Sequence, residues 1–285
     1  MDVLSDAIAA MRAGRPRVSL TETADPSWTA KFDTFPGARF HVVVTGRCAV
    51  TGVGALGPGD AVLLPRGTAH VLENAGDGGL QLLCGGCELD QNRVHPIVRD
   101  FPDVVILPAR DGGLQATIGL LRGEVIEPSP GTDVVVPALL EVLFVHLIRA
   151  WCAEQARWRT SGWCVALADP VIARALRAMH EHPAEPWTVA SLGAEAGLSR
   201  AAFARRFTTM VGQPPLTYLL WWRLTTAARL LRTTDAPLAT VARRTGYGSP
   251  YAFAAAFKRE YGIPAGRYRH DHRATVPSHH PDPQW

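Results

Sequence analysis

Apolar positions along the chain change their period near its middle. In the first half they come as short runs, Phe40 to Val44, Ala61 to Leu64 and Leu80 to Leu83, separated by Gly, Pro and Asp at intervals suited to strands and turns. Gly59-Asp60 turns into the second run, and Pro65-Arg66-Gly67-Thr68 turns out of it. Further on, Leu139, Leu140, Leu143, Phe144, Leu147, Ile148 and Trp151 recur at helical spacing, with Val136-Pro137 opening the segment and Pro137 near its first turn. A stripe this wide is either core or a face offered to a partner. Phe203 and Phe207, four apart, then mark the inward stripe of a later helix.

That later region repeats itself. Ser191-Leu192-Gly193-Ala194-Glu195-Ala196-Gly197 returns as Thr240-Val241-Ala242-Arg243-Arg244-Thr245-Gly246, and after one inserted residue (Gly248) Ser199 matches Ser249, Phe203 matches Phe253, Phe207 matches Phe257, Gly212 matches Gly262, Pro214 matches Pro264 and Tyr218 matches Tyr268. Each copy reads as a helix-turn-helix. A small residue (Gly193, Ala242) lets the second helix approach the first, and Gly197 or Gly246 supplies the tight turn. Ser199 and Ser249 sit where N-caps belong, and Pro250 stands at a first helical position.

On the first copy's second helix, Arg205 points away from the Phe203/Phe207 stripe, with Ala201 and Ala202 beside it and Arg200 and Arg206 on the flanks. An exposed arginine on such a helix suits bidentate reading of guanine in duplex DNA. The matching position in the second copy is Ala255, with Tyr251 and Ala252 on its face. The second helix therefore reads bases by apolar contact and grips phosphate through Lys258 and Arg259.

From Asp169 to Arg269 the chain resembles the DNA-binding domain of the AraC/XylS family of bacterial transcription regulators. The closing pattern Phe257-Lys258-Arg259-Glu260-Tyr261-Gly262-Ile263-Pro264-Ala265-Gly266-Arg267-Tyr268-Arg269 carries most of that resemblance. It implies a long connector helix, about Pro215 to Leu231, that spaces the two units to successive major grooves. It also implies RNA polymerase as a partner if the protein is an activator. The family often places a polar or basic reader on the second helix, and here Ala255 departs from it.

Charge changes the picture in the same direction. The formal net charge of +3 divides into +8 over residues 169–270, −4 over residues 1–168 and −1 over residues 271–285, a basic region joined to an acidic one. No apolar run is long enough to span a bilayer, and Met1-Asp2-Val3-Leu4-Ser5 lacks the features of a secretory signal. Five cysteines, an odd number, argue against a secreted disulfide framework, so a cytoplasmic setting is expected.

In the first half, Gly59, Pro65, Gly67, His70 and Asn74 fit the spacing G-x5-P-x-G-x2-H-x3-N. This resembles the second cupin motif and implies a small β-barrel with an interior pocket. The first cupin motif would supply two histidines and a glutamate, but only His41 stands in the strand Arg39-Phe40-His41-Val42-Val43-Val44. The usual metalloenzyme centre is therefore not assembled. His41, His70, Cys84 and Cys87 remain, a donor set that suits zinc. They are also readable as core or turn histidines with buried small cysteines, or, for Cys84 and Cys87, as a thiol redox switch. With Cys84-Gly85-Gly86 and the segment from His95-Pro96 to Phe101-Pro102, the first half resembles the cupin-bearing subgroup of AraC-type regulators. In that family the helices after the barrel carry the dimer contact.

The sequence thus predicts an α+β multidomain protein. Residues 1–156 form a cupin-like sensor barrel with dimerisation helices, 157–168 a linker, 169–270 an all-α domain of two tandem helix-turn-helix units, and 271–285 a disordered tail. The expected function is sequence-specific DNA binding by a homodimer that responds to a small ligand, metal or oxidant, without enzymatic activity or membrane association. The alternative is a cupin metalloenzyme, a dioxygenase or isomerase, with a helical appendage.

Overall fold

The computed structural model describes residues 2–11, 14, 16–89, 95–108 and 112–274. The chain opens with α1 (Val3–Met11), followed by β1 (Arg17–Thr23), β2 (Thr29–Phe32), β3 (Gly37–Thr45), β4 (Cys48–Val50), β5 (Gly54–Leu56), β6 (Ala61–Leu64), β7 (His70–Asn74) and β8 (Leu80–Glu88). Helix α2 (Pro96–Asp100) and β9 (Val105–Leu107) then lead into α3 (Gly112–Ile126) and α4 (Thr132–Trp158). The strands make two antiparallel sheets, ordered β1-β8-β3-β6-β9 and β2-β7-β4-β5. The three apolar runs of the sequence fall in β3, β6 and β8. Because side chains alternate along a strand, Val43, Val62, Leu64, Leu80, Leu82 and Cys84 turn inward and meet Cys48, Val50, Leu56 and Leu72 from the other sheet. Phe40 has the opposite parity and faces out, where Phe144 of α4 meets it edge-on at 5.5 Å.

Strand β8 runs five residues past the end of its apolar run. Gly85 and Gly86 look like turn punctuation but lie inside the sheet. A Cβ at Gly85 would sit 2.6 Å from the Phe40 ring and 2.5 Å from the Arg17 carbonyl oxygen, so only glycine lets β1, β8 and Phe40 approach so closely.

Helix α4 begins at Thr132, which puts Pro137 inside the helix rather than in its first turn. The stripe Leu140, Leu143, Phe144, Leu147, Ile148 and Trp151 is buried within its own chain, with Trp151 stacked on Phe101 at 3.7 Å. The large apolar residues that α4 leaves exposed are Val134, Val135, Val142 and, at its end, Trp158. Among the described residues α4 alone is long and apolar enough to cross a membrane by length and composition, because its charged positions are few and scattered. An eye for uninterrupted apolar runs passes over such a helix.

The remaining helices are α5 (Trp163–Ala168), α6 (Pro170–Glu181), α7 (Val189–Glu195), α8 (Arg200–Val211), α9 (Pro215–Thr233), α10 (Leu238–Arg244), α11 (Pro250–Tyr261) and α12 (Ala265–Ala274). They form a second compact unit, and α1 belongs to it. The first helix of the chain thus sits in space with the helical unit, although in sequence it precedes the barrel and was assigned to residues 1–156. The expected linker is partly ordered too, since α5 buries Trp163, Cys164 and Ala166. Helix α12 continues to Ala274, four residues into the expected tail, and 275–285 lie outside the described residues.

Candidate nucleic-acid interface and barrel site

Each helix-turn-helix is closed by local hydrogen bonds that the sequence prescribes. Thr188 and Ser191 form a reciprocal capping box at the start of α7. Gly197 takes φ 71° in the turn, and Ser199 Oγ accepts from the Ala202 N–H at 3.3 Å to open α8. The second copy repeats this, with Gly246 at φ 78° and Ser249 Oγ accepting from the Ala252 N–H at 3.1 Å to open α11. Phe203, Phe207, Phe253 and Phe257 are fully buried, so both second helices are held by the same pair of rings. Tyr218 on α9 and Tyr268 on α12, repeat partners in the sequence, are buried plugs under the two units. The Tyr218 hydroxyl lies 2.6 Å from His180 Nε2, whereas the Tyr268 hydroxyl accepts from Arg232 Nη1 at 2.6 Å.

His180 carries a contact that sequence reasoning missed. Its Nδ1 is 3.5 Å from the Asp6 carboxylate of α1, and its ring stacks on Trp222 at 3.7 Å. Burial holds the imidazole below its ordinary pKa, against the pull of Asp6. The repeat of Tyr218 and Tyr268 was visible in the sequence, but nothing local connects Asp6 to a histidine far along the chain.

The faces expected to meet DNA are open. Arg200, Ala201 and Arg205 of α8 are exposed and Ala202 is half-buried; on α11, Tyr251 is 87% exposed, and Ala252, Ala255, Lys258 and Arg259 are exposed with it. Arg259 also lies 3.7 Å from Glu260. Arg206 is different, because its guanidinium pairs with Asp169. Asp169 also caps α6, accepting from the Val171 and Ile172 N–H groups. Burial opposes ionisation of that carboxyl, but the Ile172 N–H and Arg206 hold it below the usual carboxylate range. Through Asp169, Arg206 braces α8 against α6.

In the barrel, His41 on β3 and His70 on β7 reach toward each other from opposite sheets, with Nε2 atoms 2.8 Å apart. His70 Nδ1 is 2.8 Å from the Thr68 carbonyl oxygen, which can only accept, so Nδ1 carries a proton. The neutral ring's Nε2 then accepts from His41 Nε2–H. This leaves His41 Nδ1 as a buried lone pair with no hydrogen-bond partner among the described residues. Burial drives the pKa of His41 well below 6.5, with His70 and Arg39 adding to the shift, and burial lowers His70 as well. Phe32 stacks on His70 with ring centroids 4.9 Å apart. The pair is a neutral, half-satisfied polar spot inside an apolar barrel.

Cys84 stands directly across from His41 in the β3–β8 register. Cys87, three residues on, has the opposite parity and faces the other side of the sheet, its Sγ near the Glu88 and Gly14 carbonyl oxygens. Burial pushes the Cys84 thiol up to about 12 and the Cys48 thiol up to about 11. Among the described residues no three His, Cys, Asp or Glu side chains gather as a metal site. His41, His70, Cys84 and Cys87 thus do not fit a four-coordinate zinc centre, because the fourth donor lies across the sheet.

Two family patterns match the chain: one described as Cupin over residues 2–153, and one described as Helix-turn-helix domain over residues 192–271. An AraC-like transcription regulator of Streptomyces lividans is 33% identical over 300 residues, covering 94% of this chain and 98% of that protein. The RCS-specific HTH-type transcriptional activator RclR of Escherichia coli is 29% identical over 248 residues, covering 84% of this chain and 86% of its own. Among solved structures, the DNA-binding domain of AdpA in complex with a target DNA is 38% identical, covers 39% of this chain and 99% of that one, and superposes with a TM-score of 0.36.

Proposed function

The chain belongs to the AraC-like transcription regulators, and we propose that α8 and α11 read two neighbouring segments of duplex DNA under the control of an effector bound in the barrel. The observation that carries the reading half is the pair of capped, exposed second helices, each fixed by two buried phenylalanines and a buried tyrosine. Such helices place side chains in the major groove at a fixed distance from one another. Arg205 is the principal base reader. Tyr251, Ala252 and Ala255 make the second face apolar, suited to thymine methyl groups, with Lys258 and Arg259 at the phosphates. Footprinting on a duplex selected from a randomised pool tests this, and two protected segments per protomer about one helical turn apart are expected. A single short protected segment per protomer contradicts it.

The sensing half rests on the His41–His70 pair. An unpartnered, buried imidazole nitrogen beside a stacked phenylalanine suits a small planar or polar effector that donates one hydrogen bond. Substituting His41 by Phe should abolish the effector response and leave basal DNA binding intact. An oxidant acting on Cys84 is the competing effector, and Cys84→Ser separates the two readings. We further assign a homodimer to the apolar surface left open by Leu120 and Ile126 of α3 and Val134, Val135 and Val142 of α4, tested by sedimentation.

A further inference from the structure

The two helix-turn-helix units repeat one another in sequence and in geometry, but they differ at one glycine. At Gly197, in the first turn, an added Cβ would meet nothing within 4 Å. At Gly246, its repeat partner, the same Cβ would lie 2.8–2.9 Å from Cζ, Nε and Nη2 of Arg223. Arg223 stands midway along α9, the helix that joins the units. Its Nε donates to the Pro183 carbonyl at 2.6 Å and its Nη2 donates to the Glu185 carbonyl at 2.7 Å. Both acceptors belong to the loop between α6 and α7 of the first unit. That loop is braced by its own bonds, from the Trp187 N–H to Glu185 O and from Trp187 Nε1 to His182 O. The guanidinium therefore lies between a stiff loop of the first unit and the turn of the second, forked onto two carbonyls on one side and flat against a glycine on the other.

We infer that Arg223 is a positioning residue that sets the separation of the two recognition helices, by bolting the α6–α7 loop to the Gly246 turn. The planar fork of an arginine, unlike an ammonium, satisfies two carbonyls in one plane and leaves a flat face for the second unit. A connector helix alone fixes the distance between its ends but not the rotation of the unit at each end. Arg223 supplies a second point of attachment, and two points restrain rotation. It touches no base or phosphate in this scheme and acts only through α8 and α11.

The inference rests on both helices engaging DNA, and the test separates the two claims. Full-length protein is titrated onto a duplex selected by the wild type from a randomised pool, and onto derivatives with one or two base pairs inserted between the protected segments. Wild type should lose about tenfold or more per insertion, the scale of a lost base contact. Arg223→Ala should bind the original duplex about tenfold more weakly, yet lose less than about threefold on insertion, with affinity for random duplex within about twofold of wild type. Arg223→Lys, able to reach one carbonyl, should fall between. If Arg223→Ala is unfolded at the assay temperature by circular dichroism, the lysine variant decides by the same criterion. A folded variant that keeps the full insertion penalty, or that weakens specific and random binding in equal proportion, overturns the positioning role. A wild type with no insertion penalty overturns instead the reading that both units engage.

Discussion

Arg205 and Arg206 are neighbours on α8, both arginine and both exposed, but only Arg206 is engaged by Asp169, so the proposed reading gives them different roles. Arg205 projects from the face opposite Phe203 and Phe207 into solvent, while Arg206 is turned back onto Asp169. If Arg205 reads a base pair as proposed, replacing it by alanine removes one bidentate contact, and the expected loss is about 1–3 kcal/mol of discrimination, or roughly 5- to 150-fold. It should leave folding nearly unchanged, since an exposed side chain with no partner among the described residues contributes little to stability. Replacing Arg206 by alanine breaks a pair whose arginine is 42% exposed, so the expected loss is about 0.2–1 kcal/mol of stability with specificity intact. Fluorescence anisotropy on the selected duplex and on random duplex, at one fixed salt concentration, gives the ratio that matters. Thermal melting gives the other axis. If Arg206→Ala lowers the specific-to-random ratio more than Arg205→Ala, or if Arg205→Ala leaves that ratio unchanged, the assignment of the reading face is wrong.

Other expectations follow from the same geometry. Lys258→Ala should weaken specific and random duplex alike and flatten the salt dependence of binding by about one phosphate's worth, a slope change near 0.9 in log–log form. Because the pKa of His41 is lowered in the folded barrel, the unfolded chain binds more protons once pH drops below 6.5. Stability should therefore be full above that value and decline as pH falls further, and His41→Phe should remove part of the decline in pH-resolved chemical denaturation. Cys84, with its thiol pushed up to about 12, should resist iodoacetamide at neutral pH while folded and react promptly in denaturant, as timed mass spectrometry would show. Rapid labelling of the native protein at Cys84 would contradict its burial.

What the sequence made legible was whatever recurs at short range. The tandem repeat announced both helix-turn-helix units because caps, turn glycines and paired phenylalanines are local devices that must be spelled out in each copy. The strands β3, β6 and β8 showed as apolar runs for the same reason. Side-chain parity was legible only in part. Cys84 and Cys87 are an odd number of residues apart, so a strand through both would put them on opposite faces, but Gly85-Gly86 reads as a break until Phe40 is seen lying over it. The pairing of Arg206 with Asp169 and of Asp6 with His180 joins residues far apart in sequence, each an ordinary surface charge when taken alone. The stripe of α4 was correctly periodic, but periodicity cannot say whether the face it marks is met by a partner or by the chain's own sheet.

The place of α1 has a consequence for the order in which the molecule assembles. Asp6 is made before the barrel, but His180, Tyr218 and Trp222, which receive it, are made only after the whole barrel has emerged. The barrel can fold around a chain whose first nine-residue helix has as yet nowhere to go. Closing so long a loop costs entropy that only a finished binding surface can repay. The docking of α1 should thus be a late event in folding, and the helical unit reaches its complete form only when a helix made before the barrel returns to it.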